Sequence, residues 1–279
     1  MKIRVLSQAP DAMRLLLEET EPSFANAIRR VLVADVPKMA IEDVEFHLGP
    51  IRAEDGKEYE SVSPLFDEMI SHRLGLIPIP TDLGLYNRRE GCPTCHGEGC
   101  PNCTIIYSVN KRGPGLVTSA DLEPIGDTKL RPKDANIPIV KLGDGQAMLI
   151  YATAVLGTGK DHAKWQATHG VGYRYYPLLK AGTKALDALD PEVPFCESHM
   201  QSTATEEEET AELPSDCKTC AKFAEQYKVN SVKVGNDPTR IVLEFETDGS
   251  LTTKAVLVAG LDILSKRFSE LATQAGALA

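Results

Sequence analysis

The segment with the fewest ways to fold is Cys92-Pro-Thr-Cys95-His-Gly-Glu-Gly-Cys100-Pro-Asn-Cys103. Its two Cys-x-x-Cys pairs stand four residues apart, so four thiolates can close on one tetrahedral ion without help from elsewhere. Gly97 and Gly99 permit the tight turn between the pairs, and Pro93 and Pro101 stiffen each one. Zinc suits the set because it is redox-silent and accepts four thiolates. With sulfur at all four positions no open site remains, so the role is structural. Glu90 on one side and Thr104-Ile-Ile-Tyr107 on the other suggest a knuckle projecting from a strand.

Helical periodicity supplies the next constraint. In Ser23-Phe-Ala-Asn-Ala-Ile-Arg-Arg-Val-Leu, the residues Phe24, Ile28, Val31 and Leu32 share one apolar face, with Asn26, Arg29 and Arg30 off it. Pro37 ends that helix soon after Asp35. A second helix is predicted to open at Ser63-Pro64, to bury Leu65, Met69, Ile70 and Leu74, and to stop at Gly75, before Leu76-Ile-Pro78. The last helix, 252–273, carries Leu257, Leu261, Leu264, Phe268 and Leu271 at spacings of 4, 3, 4 and 3, a coiled-coil-like seam. Val256, Val258 and Ile263 leave it apolar on more than one side, more than one sheet covers. Short strands are predicted at Ile3–Leu6, Met13–Glu18 and Ala40–Leu48, and a hairpin at 231–247 turning on Asn236-Asp-Pro.

The pair Asn26-Ala-Ile-Arg-Arg30 and His72-Arg-Leu-Gly-Leu-Ile-Pro78 resembles the alpha-type assembly subunits of cellular RNA polymerases. His162-Ala-Lys-Trp165-Gln and Tyr173-Arg-Tyr-Tyr-Pro177 narrow the likeness to the archaeal D-type subunits and their eukaryotic counterpart, the third-largest subunit of RNA polymerase II. The motifs touch most of residues 1–177 and the C-terminal segment fits, whereas 178–227 matches loosely.

The resemblance implies an α+β fold with a discontinuous dimerisation domain, 1–48 plus 228–279. Into it are inserted a mainly-β domain, 49–177, carrying the zinc knuckle, and a degenerate ferredoxin-like insertion, 178–227. It implies a non-catalytic scaffold of DNA-directed RNA polymerase, the nucleotidyltransferase activity lying in other subunits. Phe24, Ile28, Leu257, Leu261, Leu264, Phe268 and Leu271 would meet a small alpha-like partner, subunit L. Arg29, Arg30 and Arg73 would seat a large catalytic subunit, since forked cations beside apolar surface suit desolvated interface contacts; the bland alternative is intrachain ion pairing. Other small polymerase subunits would complete the assembly.

In many D-type subunits one early cysteine and a Cys-x-x-Cys-x-x-Cys run bind an iron–sulfur cluster. Here Cys196 and Cys217-Lys-Thr-Cys220 match the start of that pattern, but Phe223 stands where the third cysteine of the run belongs. Three thiolates could hold a three-iron cluster in place of a four-iron one, His199 could complete a zinc site with them, or the site could have lost its metal. The knuckle has rivals too. Cys92-x-x-Cys95-His96 matches a c-type haem attachment, the string resembles one repeat of a DnaJ-type zinc domain, and rubredoxin-like iron uses paired knuckles.

Length and charge set the outer bounds. A chain of 279 residues with 42% apolar content is a folded protein of two or three domains. A formal charge of −10 argues against direct nucleic-acid binding and so against a DNA-binding zinc ribbon. No stretch reads as a membrane span or a signal peptide, and seven cysteines, mostly in Cys-x-x-Cys pairs, fit metal ligation in a reducing cytoplasm. No acidic metal triad is present, and Gly157-Thr-Gly159-Lys160 only echoes a phosphate loop. His162, Trp165 and His169 read as structural, and Glu206–Glu209 as a solvated charge run. The competing class is a freestanding iron–sulfur or metal-sensing redox protein built around the cysteines.

Overall fold

The computed structural model describes residues 1–52, 56–188, 190, 192–196, 198–199 and 209–277. Among them lie four α-helices: α1 Pro22–Ala34, α2 Asp67–Gly75, α3 Lys218–Tyr227 and α4 Thr253–Gly276. None of the helices is long and apolar enough to cross a membrane. The chain divides into two discontinuous compact units, one of Met1–Gln8, Met13–Arg29 and Gly170–Phe245, the other of Ala9–Ala12, Arg30–His169 and Glu246–Ala279.

The first unit is built on a sheet in the order Lys2–Gln8, Ala12–Glu18, Ser231–Thr247, Thr168–Ala181 and Lys184–Asp187, with Glu209–Glu212 also paired to Ser231–Thr247. Leu16, Tyr176 and Val242 form one small core, and the Arg240 guanidinium lies 3.7 Å from the centre of the Tyr176 ring. A second core gathers Leu179, Leu186, Val232 and Val234 with Cys220 and Phe223 of α3. The hairpin predicted at 231–247 is absent: Ser231–Thr247 is one continuous strand. Residues Ser231–Val234 pair with Glu209–Glu212, while Thr239 accepts a 3.0 Å hydrogen bond from the Glu19 amide. Asn236-Asp-Pro therefore marks a change of partner rather than a reversal, and Asp237 satisfies the Thr239 N–H locally at 2.9 Å. Of the predicted charge run, Glu209 opens a strand and Glu206–Glu208 lie outside the described residues.

In the second unit a four-stranded sheet runs Pro37–Phe46, Ala147–Thr158, Thr104–Arg112, Glu123–Pro124. Its pairing slips one residue where Thr153 faces Asp43 and Ala154 faces Ile41. That bulge lets Ile41, Val44 and Phe46 all reach one core despite an odd separation. The predicted strand end, Leu48, is 75% exposed and lies past the strand. Helix α2 lays Ile70 and Leu74 on the same core, and Leu65 packs against it. It starts later than predicted, because the Ser63 hydroxyl binds the Leu65 amide in a local turn and caps no helix. Met69 is exposed rather than buried. The helix stops at Gly75 as predicted, though without a left-handed cap, since the cap residue, Leu76, is right-handed.

Helix α4 begins as predicted, with the Thr252 hydroxyl accepting from the Ala255 amide at 3.2 Å. Its buried stripe is Val256, Gly260 and Leu264. At Gly260 a Cβ would come within 2.8 Å of Leu32, so the missing side chain lets α4 close on the end of α1. Arg267 adds a bidentate pair to Asp35, at 2.6 and 2.8 Å.

Candidate functional site

The knuckle sits between the short turn Arg89–Gly91 and the strand Thr104–Arg112. His96, Gly97 and Gly99 all have positive φ, 51°, 102° and 104°, which folds one pair back over the other. The sulfurs approach one another at 3.7 Å (Cys92–Cys100), 3.5 Å (Cys95–Cys103) and 3.8 Å (Cys100–Cys103). Ligands about 2.3 Å from one tetrahedral ion stand about 3.8 Å apart, so these four fit a shared ion. Cys92 and Cys103 are buried and Cys95 and Cys100 half-buried. Backbone N–H groups of Cys95 and Thr94 directed at Cys92 bring its thiol down to about 6, poised to ligate. Burial pushes the Cys103 thiol up to about 12, because a buried thiolate is costly without a cation beside it.

Sequence reasoning missed what holds the turn. Arg89 donates from Nε to the Gly97 carbonyl at 3.1 Å and from Nη2 to the Glu98 carbonyl at 3.3 Å, and pairs with Asp43 at 3.4 Å. Only its closeness to the first cysteine hinted at it.

Cys196, His199, Cys217 and Cys220 form a second set whose ligand atoms lie within 4.8 Å of one another. Cys217 is the N-cap residue of α3 and Cys220 lies in its first turn. The Cys220 thiol is pushed up to about 12 by burial. Each of the two four-donor sets could hold a metal ion.

The predicted interface residues divide by burial. Ile28 is 2% exposed and Leu264 9%, so both belong to the chain's own core. Phe24, Leu257 and Leu261 are half-buried. Phe268, at 55%, and Leu271, at 60%, face solvent, as does Val258. From Ser265 to Ala277 every residue of α4 and its cap is exposed. Arg29 bonds Asn26 at 3.0 Å, Arg73 donates to the Ile139 carbonyl at 2.6 Å, and Arg30 is exposed on α1.

The aromatic cluster is structural. Trp165 donates to the Val155 carbonyl at 3.0 Å, and the His162 ring accepts from the Lys164 amide at 3.1 Å. The phosphate-loop echo is packing: a Cβ on Gly157 would strike the Trp165 ring at 2.4 Å, and one on Gly159 the Val33 carbonyl at 2.4 Å.

A paired-strand and helix scaffold with two donor sets able to hold a metal ion and an exposed apolar helix end is the build of a protein that assembles with others. The model of the RNA polymerase Rpb3/Rpb11 dimerisation domain matches residues 14–268, and the chain belongs to that family as an archaeal-type, Rpb3-like subunit. Proteins named DNA-directed RNA polymerase subunit Rpo3 resemble it along nearly all their length. That of Thermoplasma volcanium is 42% identical over 96% of this chain and 97% of its own. That of Picrophilus torridus is 45% identical over 90% of each, and that of Methanosarcina acetivorans 32% over 97% of each. The chain is thus an assembly subunit of DNA-directed RNA polymerase.

Proposed function

We propose that the chain works as the D-type subunit of the polymerase, a non-catalytic platform whose enzyme activity belongs to the complex. In this reading α4 and α1 pair with the small L-type partner, and Arg29, Arg30 and Arg73 contact a large catalytic subunit. The observation that carries it is the uncovered end of α4, where Phe268 and Leu271 stand more than half exposed. Apolar side chains on a helix end that nothing among the described residues covers are what a partner helix buries. Residues 1–48 and 228–279 form the dimerisation domain, with 49–177 and the ferredoxin-like 178–227 inserted.

The knuckle carries zinc as a structural ion, supported by four thiolates at tetrahedral spacing. Seven free cysteines support a cytoplasmic place of work. Phe223, fully buried where a cluster ligand belongs, counts against the freestanding redox reading.

Affinity purification of the tagged chain from its own cells tests the reading. Large polymerase subunits and a small alpha-like protein should come with it in equal amounts. A chain recovered alone and loaded with iron would overturn it.

A further inference from the structure

The second cysteine set has a geometry that separates one ion from a cluster. His199 Nδ1 stands 3.3 Å from Cys196 Sγ and 3.5 Å from Cys220 Sγ, and Cys196 Sγ stands 3.8 Å from Cys217 Sγ. Bonds of about 2.3 Å to sulfur and about 2.0 Å to nitrogen give tetrahedral edges of about 3.8 and 3.5 Å. The three contacts match those edges. In a multi-iron cluster each thiolate binds its own iron on the outside of a core, so the ligands stand well apart with the core between them. Here the imidazole nitrogen occupies the space such a core needs.

Phe223 closes the four-iron route. A four-iron cluster would need a third cysteine of the run at that position, and the Phe223 side chain is instead fully buried in the small core, its ring centre 4.6 Å from that of Tyr227. No small shift of α3 returns position 223 to the donors without emptying that core.

We propose that Cys196, His199, Cys217 and Cys220 bind a single zinc ion, with Nδ1 of His199 taking the place of the thiolate that a cluster site would use. The ion ties the segment around Cys196 to the first turn of α3. It thereby braces the core that gathers Leu179, Leu186, Val232 and Val234 around Cys220 and Phe223. Three thiolates and one imidazole leave no open position, so the site is structural.

The test is the metal content of the full-length chain, purified anaerobically with its polymerase partners removed by salt. The expected result is two zinc ions per chain and no iron. His199→Ala should leave one zinc, and Cys95→Ser, in the knuckle, should independently leave one. His199 is exposed, so its replacement leaves the packed core intact. His199→Cys should restore two, and in the cobalt-substituted protein its d–d absorption should move to lower energy as nitrogen gives way to sulfur. Iron with thiolate-to-iron absorption in the native chain overturns the proposal. So does a single zinc in the native chain, or two zinc ions retained by His199→Ala.

Discussion

At the residue scale, two side-chain environments yield sharp expectations. Gly157 lies under the Trp165 ring, which is held by its own bond to Val155, so a methyl group has nowhere to go. Gly157→Ala should cost about 2 kcal/mol by overpacking and lower the Tm by about 4–8 °C in calorimetry. Asp161 accepts from the Thr158 hydroxyl at 2.8 Å and amide at 3.1 Å and pairs with Arg88, which together hold its carboxyl below the ordinary carboxylate range. A depressed carboxyl stabilises the fold above its unfolded value, about 3.9, and that contribution disappears as pH falls through the lower folded value. Asp161→Asn should therefore lower the Tm at neutral pH, and the gap from the native chain should close in acid. In the knuckle, Cys103→Ser should reduce bound zinc by one ion per chain and open the 88–104 segment to protease. The cysteines were legible in the sequence because ligand spacing is local. Arg89, which clamps the turn through two carbonyls, was not, since a side chain binding backbone eight and nine residues away leaves no pattern.

At the scale of elements, periodicity located α1, α2 and α4, passed over α3, and misjudged what covers the helices it found. The apolar residues of α4 were plain in the sequence, but its inward stripe turned on Gly260, whose value lies in what it lacks. The bulge opposite Thr153 and the unbroken strand through Pro238 were equally hidden, because each depends on the neighbouring strand rather than on the residues themselves. The exposed part of α4 carries a clean separation of roles. Phe268→Ala with Leu271→Ala should change the stability of the isolated chain by less than about 0.5 kcal/mol, as surface substitutions do. Binding to the small alpha-like partner should weaken at least about tenfold, the cost of removing an aromatic anchor and its neighbour. Titration calorimetry with the two purified subunits separates the outcomes, and unchanged affinity would exclude this end of α4 from the contact.

For the whole molecule, a charge of −10 and bare apolar surface on one helix pull in opposite directions. Self-repulsion keeps the chain dispersed and disfavours contact with nucleic acid, while Phe268 and Leu271 invite association. A partner that covers them binds the folded chain and not the unfolded one, so it must raise stability by mass action. Partner at one hundred times its Kd should add about 2.7 kcal/mol. For a chain of this size that raises the Tm by about 5–11 °C. The rise should grow with the logarithm of partner concentration and shrink at equal concentration in the Phe268→Ala, Leu271→Ala chain. Stabilisation that reached a plateau independent of partner concentration would mean that the helix end orders something other than the heterodimer.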